Sequence, residues 1–231
     1  MTADQWAELL AADRSLLDRT STAERVADVL RQRIIDGALA PGTRLSEENA
    51  GRALAVSRNT LREAFRLLVH ERLLVHEFHR GVFVRVLTAD DVIDVYRVRR
   101  LLETSAVRRA GRAAPGLVAA VDQAVTEGER AAEDERWWDV GTANMRFHEA
   151  LAALAESPRV NETMRQLLAE LRLAFHVMSR PREFHEAYLG PNRAIADLIA
   201  AGDVREAADR LDDYFDVAET QLVEAYKSYG P

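Results

Sequence analysis

Apolar residues recur at helical spacing along most of the chain, and one short segment alternates instead. Intervals of three and four residues between Ala23 and Asp36 predict a helix that ends at Gly37. Residues 81–86 alternate and are rich in β-branched side chains, which predicts a strand. After Thr88, an N-cap residue followed by acids, the spacing is helical almost to the end. The pattern therefore predicts a small mixed module followed by a helical one.

Two N-cap serines organise the middle of the first module. Ser46 begins a short helix that runs to about Leu54, and Ser57 begins a second helix after a tight turn. The second helix carries an apolar stripe at i, i+3, i+4 and i+7, formed by Leu61, Ala64, Phe65 and Leu68. Two short helices joined in this way form a helix-turn-helix.

The opposite face of the second helix carries Arg58, Arg62 and Arg66, with Asn59 beside them. Such a helix enters the major groove of DNA with its N-terminal turns. Arginine can bond guanine O6 and N7 in a bidentate manner, and Asn or Thr can contact other base edges. The simpler interpretation is a solvated charged face, and the arginines alone do not exclude it.

A predicted hairpin follows the second helix. Residues 74–76 and 81–84 form its strands, and its tip carries His79, Arg80 and Gly81. A cation and a glycine at such a tip can approach a phosphate or the minor groove, so the hairpin is interpreted as a wing. The cap, the turn, the stripe and the wing together favour DNA binding over a merely charged face.

Composition and charge agree with a two-part molecule. The chain has 231 residues, no cysteine and a net charge of −7. Residues 22–86 carry 11 arginines against 8 acids, so a mildly basic module is joined to an acidic remainder. The absence of cysteine excludes disulfides, thiolate metal sites and Cys nucleophiles. No secretion signal or bilayer-spanning run is present in the sequence, so we expect a cytoplasmic protein without a membrane partner.

The sequence therefore predicts a mainly α fold in two domains. An extension at 1–21, with a short helix around Trp6, precedes a winged helix-turn-helix domain at 22–87. An all-α bundle of about six helices follows at 88–231, with breaks expected at 114–116, 157–158, 180–181, 190–191 and 202–203.

Catalytic motifs are missing from the sequence, and we predict that the chain is not an enzyme. No His has Glu three residues before it, as a di-iron bundle requires, and there is no Gly-x-Ser-x-Gly, P-loop or GxGxxG motif. A helical dimeric adaptor without DNA readout remains the alternative class.

Three blocks in order resemble the winged helix-turn-helix of GntR-type bacterial transcription regulators. They are PGTRLSE at 41–47, VSRNTLREA at 56–64 and RGVFV at 80–84. Residues 91–103, DVIDVYRVRRLLE, resemble the opening helix of the all-helical effector domain of the FadR subgroup, called FCD. The resemblance implies a homodimer on a two-fold symmetric operator, controlled by a small effector and most often acting as a repressor.

The resemblance also assigns contact positions in the first domain. Those expected at DNA are Ser57, Arg58, Asn59, Thr60 and Arg62, with Arg44 and Arg80 at phosphates. Two departures from the family pattern stand out. Arg72 replaces a usual Gly, which bears on the entry to the wing, and Asn59 replaces a common Thr, which bears on base preference.

Family members commonly hold a divalent metal in the second domain, and the resemblance maps its four positions to Asn144, His148, Asn192 and Tyr214. Asn144 and His148 are four residues apart, on one face of a helix. Asn192 and Tyr214 lie 11 residues on either side of Asp203. If two antiparallel helices turn there, both lie about 16 Å from the turn and face each other.

Two imidazoles that a metal site would need are replaced here by Asn192 and Tyr214. One imidazole, two amides and a phenol are poor ligands for zinc and its neighbours, so a divalent metal is disfavoured but left open as an alternative. The same groups are good hydrogen-bonding partners, and Arg99, four residues before Glu103, could fork onto a carboxylate. We predict a metal-independent pocket for a small polar or carboxylate effector, formed by Arg99, Asn144, His148, Asn192 and Tyr214. The simplest alternative is that these groups satisfy one another without a ligand.

Overall fold

The structure, a computed structural model, describes residues 21–35, 37–175 and 181–229. The described residues divide into two compact units, the first ending at Arg85 and the second beginning at Val86. The helix expected around Trp6 and the histidine at position 176 lie outside the described residues.

Within its described residues, unit 1 contains three helices and a three-stranded sheet. In chain order these are α1 (Thr22–Ile35), β1 (Arg44–Leu45), α2 (Glu47–Ala53), α3 (Arg58–His70), β2 (Leu74–Glu77) and β3 (Gly81–Val84). The sheet has the order β1-β3-β2 and is antiparallel, with Val75 opposite Phe83 and Glu77 opposite Gly81. The predicted helix-turn-helix and hairpin are therefore confirmed. Strand β1, which the sequence reading missed, pairs with β3 through Arg44 and Leu45.

The apolar stripe of α3 forms the core of this unit. Leu61, Phe65 and Leu68 are buried and pack where α1 contributes Leu30 and Ile34. At the far end of the two helices Arg31 makes a bidentate salt bridge to Glu71, with both N–O distances 2.7 Å. This bridge and the core fix the angle at which α3 is presented.

Unit 2 is a bundle of six α-helices within its described residues. They are α4 (Ala89–Val107), α5 (Pro115–Glu133), α6 (Trp137–Ala153), α7 (Pro158–Ala174), α8 (Pro181–Ala201) and α9 (Val204–Tyr229), with a short 3-10 turn at Ala110–Arg112. Thr88 caps α4 in a reciprocal capping box with Asp91. The mainly α fold with a winged N-terminal unit is confirmed.

One predicted break is wrong. The expected break at 190–191 is absent, because α8 continues through Pro191 to Ala201. A proline removes one backbone donor and crowds the preceding turn, but packing along the rest of a long helix can outweigh that cost. The break at Gly202 is real, since this residue has a φ of 84° and closes α8 before α9 begins. As a result α8 and α9 pack against each other as an antiparallel pair.

Candidate functional site

The first turn of α3 presents polar side chains to solvent. Ser57 caps the helix, because its hydroxyl accepts the Thr60 N–H at 3.1 Å and lies 2.8 Å from the Thr60 hydroxyl. Ser57 and Thr60, both predicted to contact DNA, therefore already take part in the hydrogen bonds that cap the helix. Arg58 and Asn59 are exposed, and neither has a hydrogen-bonding or ionic partner among the described residues.

The other arginines of this face are partly engaged. Arg62 lies 3.7 Å from the Glu47 carboxylate of α2, and Arg66 pairs with Glu63 at 3.2 Å. All of these side chains are more than 40% exposed, so the pairs are weak and can open at little cost. Arg58 is consequently the guanidinium on α3 that is free to bind a partner.

The wing brings further cations close to α3. Its turn is closed by the Arg80 N–H donating to the Glu77 carbonyl at 3.1 Å, and His79 adopts a φ of 61°. The Arg80 guanidinium pairs with Glu77 and lies 5.4 Å from the Phe83 ring centre. At the other end of the turn, Gly81 has a φ of 110°, in the region that favours glycine, and a Cβ there would be in ordinary contact with the Arg44 Nε at 3.5 Å.

One cleft connects the wing with the start of α3. Arg44, Arg58, His76 and Gly81 line it, together with the acidic Glu47 and Glu48. Of the nine predicted contact residues, the structure brings Arg44, Arg58 and Gly81 to this cleft and leaves His79 and Arg80 exposed at the wing tip. Arg44 and Arg58 thus line the same concave surface, where one arginine can contact the phosphate backbone and the other the base edges of a groove.

In unit 2, a buried chain of hydrogen bonds begins at Arg99. Its Nε donates to the Glu103 carboxylate at 3.0 Å, and the other oxygen of Glu103 lies 2.6 Å from the His148 Nδ1. All three side chains are at most 1% exposed. Tyr96 and Phe215 hold the Arg99 guanidinium, each with its ring centre at 5.1 Å.

The chain continues from His148 to the two asparagines. The Tyr214 hydroxyl lies 3.1 Å from the His148 Nε2 and 3.3 Å from the Asn144 Oδ1. Asn192 donates its amide to the same Asn144 oxygen at 2.8 Å. All five predicted effector residues therefore lie in one buried network, and the facing of Asn192 and Tyr214 across the α8–α9 pair agrees with their spacing around Asp203.

Burial sets the protonation states in this network. It lowers the pKa of His148, with a further lowering by the positive Arg99, and this outweighs the opposing effect of Glu103. Burial also disfavours a charged Arg99, but Glu103 and the neighbouring tyrosines hold the pKa of Arg99 above its ordinary value. The network at neutral pH thus contains a charged Arg99 and a neutral His148.

These states fix the direction of the central hydrogen bonds. A carboxylate only accepts, so the Nδ1 of His148 carries the ring proton and donates to Glu103. The Nε2 of the neutral ring then accepts, so the single Tyr214 proton is shared between this nitrogen at 3.1 Å and the Asn144 Oδ1 at 3.3 Å. If His148 becomes protonated, Nε2 donates instead and the Tyr214 hydroxyl turns to Asn144. The orientation of one hydroxyl therefore depends on the charge of one ring.

The residues present do not fit a divalent metal. Burial raises the pKa of Tyr214 well above its usual range, so the phenol keeps its proton and is a poor ligand. Both ring nitrogens of His148 already face partners, Glu103 and Tyr214. No group of three His, Asp or Glu side chains suited to a metal occurs in the described ranges.

A small cavity adjoins the end of the network. It lies among α5, α6 and α8, its free volume is about 10 Å³, and Asn144, Asn192 and His185 line it together with Gly128. That space admits about one water-sized group. The Asn192 Oδ1 and the His185 Nδ1 are buried without a hydrogen-bonding partner among the described residues.

Sequence reasoning assigned no role to His185, which the structure places at this cavity. Burial and the positive Arg172 lower the pKa of His185 to about 4, so the ring is neutral. The ring packs over Gly141, where a Cβ would stand 2.6 Å from its Nε2. His185, Leu189 and Asn192 share one face of α8, a spacing that could have indicated this position.

Glu103 is the other residue that the predicted site omitted, although its pairing with Arg99 was noticed. It joins two predicted residues that are distant in sequence, Arg99 on α4 and His148 on α6. At Arg99, the Nη2 atom is buried without a hydrogen-bonding partner among the described residues. The site thus has three unsatisfied polar atoms, on Arg99, Asn192 and His185.

Comparisons with known proteins agree with this division into two units. The family described as bacterial regulatory proteins, gntR family, matches residues 22–84, and the FCD domain matches residues 94–216. A crystal structure of a GntR transcriptional regulator from Rhodococcus sp. RHA1 superposes with a TM-score of 0.83 at 44% identity, covering 90% of this chain and 100% of that one.

Two curated relatives extend the comparison. The Nta operon transcriptional regulator of Aminobacter aminovorans is 31% identical over 159 residues, 68% of this chain and 75% of that protein. The gluconate operon transcriptional repressor of Bacillus licheniformis is 40% identical over 111 residues, but the match spans 43% of its length and 48% of this chain.

Each helix in the described ranges is too short or too polar to span a lipid bilayer.

Proposed function

Since the chain belongs to the GntR family of bacterial regulatory proteins and carries an FCD domain, we propose that it is a transcription regulator with two binding functions. Unit 1 binds an operator in double-stranded DNA. Unit 2 binds a small effector that changes this binding. An effector can act in this way only if it favours one arrangement of the protein over another.

The observation that carries DNA binding is the unpaired, exposed first turn of α3. Arg58 and Asn59 project beyond a cap that uses Ser57 and Thr60, while Arg44 and the wing supply cations beside them. A helix end of this kind fits the major groove, where Arg and Asn contact base edges. Arg62, one turn along α3, then contacts the same major groove or its phosphates. Arg44, His79 and Arg80 contact phosphates or the minor groove next to Gly81.

An electrophoretic shift assay tests this function. The full chain is mixed with the duplex upstream of its own gene and with a scrambled duplex of the same composition. We expect a shift of the native duplex that weakens steeply with added salt, because each phosphate contact releases counterions. A helical adaptor without DNA readout, the other candidate class, would shift neither duplex.

For the effector, we propose a metal-independent site at the buried network. The Nη2 of Arg99 has no hydrogen-bonding partner among the described residues, so a ligand carboxylate can pair with it. The unpaired Asn192 Oδ1 and His185 Nδ1 can bond a hydroxyl at the other end. Because the cavity holds about one water-sized group, binding must separate some of the side chains that now satisfy one another.

Thermal shift measurements on a panel of organic acids, with and without a chelator, test this site. A hydroxy acid that raises the melting temperature equally in both conditions supports the proposal. Loss of every response on chelation would instead establish the metal-dependent alternative. No response from any compound would favour a purely structural network.

Three further features follow from the same proposal. The Bacillus licheniformis relative is named a repressor, and we infer the same sign of regulation here. A homodimer would place two copies of α3 on half-sites about one helical turn apart, so the operator is expected to be an inverted repeat. Such a regulator acts in the cytoplasm, where the DNA is, and needs no catalytic residue.

A further inference from the structure

The tip of the wing carries a large apolar side chain that the proposed contacts leave unused. Phe78 is 80% exposed, more than any other large hydrophobic side chain in the described part of the chain. It stands in the turn between β2 and β3, and its ring contacts the neighbouring His79 ring edge-on, with centres 4.0 Å apart. Within unit 1, the ring therefore contributes almost nothing to the core.

The surroundings of Phe78 are suited to a polyanion. His79 and Arg80 follow it directly in the exposed turn, and His76 and Arg44 lie in the cleft that the wing shares with α3. Arg80 is paired with Glu77, but its side chain is 71% exposed, so the pair can open when a phosphate approaches. The freed Arg80 and the Arg44 of the cleft would then both lie close to the proposed DNA-binding surface and attract phosphates.

The geometry points to Phe78 as a wedge in the minor groove of the operator. The inference rests on the proposed DNA binding. With α3 in the major groove, the wing tip reaches the adjacent minor groove, and the ring inserts partly between two base pairs. Apolar side chains that insert in this way unstack one step and bend the duplex. The turn that presents the ring is closed by a hydrogen bond from the Arg80 N–H to the Glu77 carbonyl at 3.1 Å.

A wedge of this kind also contributes to sequence choice. Pyrimidine–purine steps such as TA and CA unstack more easily than other steps, so the bound sequence should carry one beneath the wing. Phe78 would then select a base step with which it makes no hydrogen bond. Its contribution adds to that of Arg58 and Asn59, which contact base edges in the neighbouring groove.

The test starts with duplexes that the full-length wild-type chain selects from a random library. Affinity is measured for the wild type and for Phe78→Ala, Phe78→Leu and Val29→Ala. Val29 is 45% exposed on α1 and serves as the control for loss of exposed apolar surface. Unstacking is followed with 2-aminopurine at the flexible step, and bending with dyes at the two duplex ends.

We expect Phe78→Ala to bind about tenfold more weakly, to bend the duplex less and to give no rise in 2-aminopurine fluorescence. Phe78→Leu should retain part of each effect, and Val29→Ala should behave as the wild type. If Phe78→Ala matches the wild type in affinity, bend and fluorescence, the wedge is wrong while DNA binding stands. If Phe78→Ala changes only the oligomeric state, the ring contacts a second copy of the chain and the wedge is equally wrong. If the wild type selects no sequence, the proposed function itself fails.

Discussion

Arg58 and Arg62 lie one turn apart on α3, but their surroundings give them different weights in DNA binding. Arg58 has no partner among the described residues, whereas Arg62 lies 3.7 Å from Glu47. We expect Arg58→Ala to weaken operator binding by roughly 1–3 kcal/mol, the value of a bidentate base contact. Arg62→Ala should cost less, because Arg62 must first leave Glu47. Fluorescence anisotropy at fixed salt measures both.

The matched control for these variants is Arg33→Ala. Arg33 is an exposed arginine near the end of α1, and its removal changes the net charge by the same amount. Its effect on affinity should be small and the same for every duplex. Unchanged binding in Arg58→Ala and Arg62→Ala alike would contradict the placement of α3 in the major groove.

His148 joins the two halves of the buried network in unit 2. It lies between Glu103 at 2.6 Å and Tyr214 at 3.1 Å. We expect His148→Ala to leave DNA binding intact and to reduce the response to the effector, since Arg99 and Asn192 would no longer be connected. Titration of operator binding with the effector measures this. A variant whose circular dichroism shows an unfolded unit 2 would instead make His148 a structural residue.

His185 should make the stability of unit 2 depend on pH. Its pKa in the folded protein is about 4, below the ordinary value of 6.5, so the unfolded chain binds more protons between these values. The stability is complete above pH 6.5 and falls as the pH approaches 4, by about 2 kcal/mol at pH 5. His148, whose pKa is also lowered, acts in the same direction.

Urea unfolding followed by tryptophan fluorescence at pH 8 and pH 5 measures this effect. His185→Gln removes the titrating group and should lose a large part of the difference. The same pH dependence in His185→Gln as in the wild type would show that other groups cause it.

At the residue scale, the resemblance to the FCD domain gave the positions of the site, and spacing supported them. Asn192 and Tyr214 are each 11 residues from Asp203, which agrees with their common contact to the Asn144 Oδ1 in the structure. The spacing of His185 and Asn192 puts both on one face of α8. The contacts of Glu103 and His185, however, depend on how α4 and α8 rotate about their axes and how closely α6 approaches them. The contact of His185 with Gly141 is an example, since nothing in the sequence of either helix shows that they meet.

At the scale of elements, the structure shows the backbone conformation at the end of α3, where Arg72 replaces the Gly that is usual in the family. Arg72 follows the helix with a φ of 58°, in the left-handed region where a side chain is strained. We expect Arg72→Gly to raise the free energy of unfolding of unit 1, by up to about 1 kcal/mol. Arg72→Ala is the control, because it removes the same charge and keeps the strain. Equal stabilities of the two variants would contradict a strained helix end.

Elements were predictable where a strong local pattern exists. The Ser57 cap and the apolar stripe of α3 are both local features of the sequence, so they predict that helix without knowledge of contacts to the rest of the chain. Strand β1 has only two residues and exists because Arg44 and Leu45 pair with Phe83 and Val82, so no local pattern could indicate it. Pro191 led to the wrong prediction of a helix break for the opposite reason. A proline disfavours a helix locally, but the packing of the 21-residue helix outweighs this effect.

At the scale of the whole molecule, the proposed DNA binding and effector binding belong to different units. The candidate contacts to DNA all lie in unit 1, and the buried network lies entirely in unit 2. Substitutions in one unit should therefore leave the basal function of the other unchanged. A homodimer further predicts that the selected sequences form inverted repeats, with one protein dimer bound to each duplex.

The most direct test of the central claim, that α3 and the wing bind a specific DNA sequence, is the affinity of the full chain for selected and scrambled duplexes over a range of salt concentrations. Sequence-specific binding by α3 and the wing predicts a preference of about a thousandfold or more for the selected duplex at physiological salt. It also predicts that the logarithm of the binding constant falls linearly with that of the salt concentration. Equal affinity for the two duplexes at every salt concentration, or no binding to either, would contradict it.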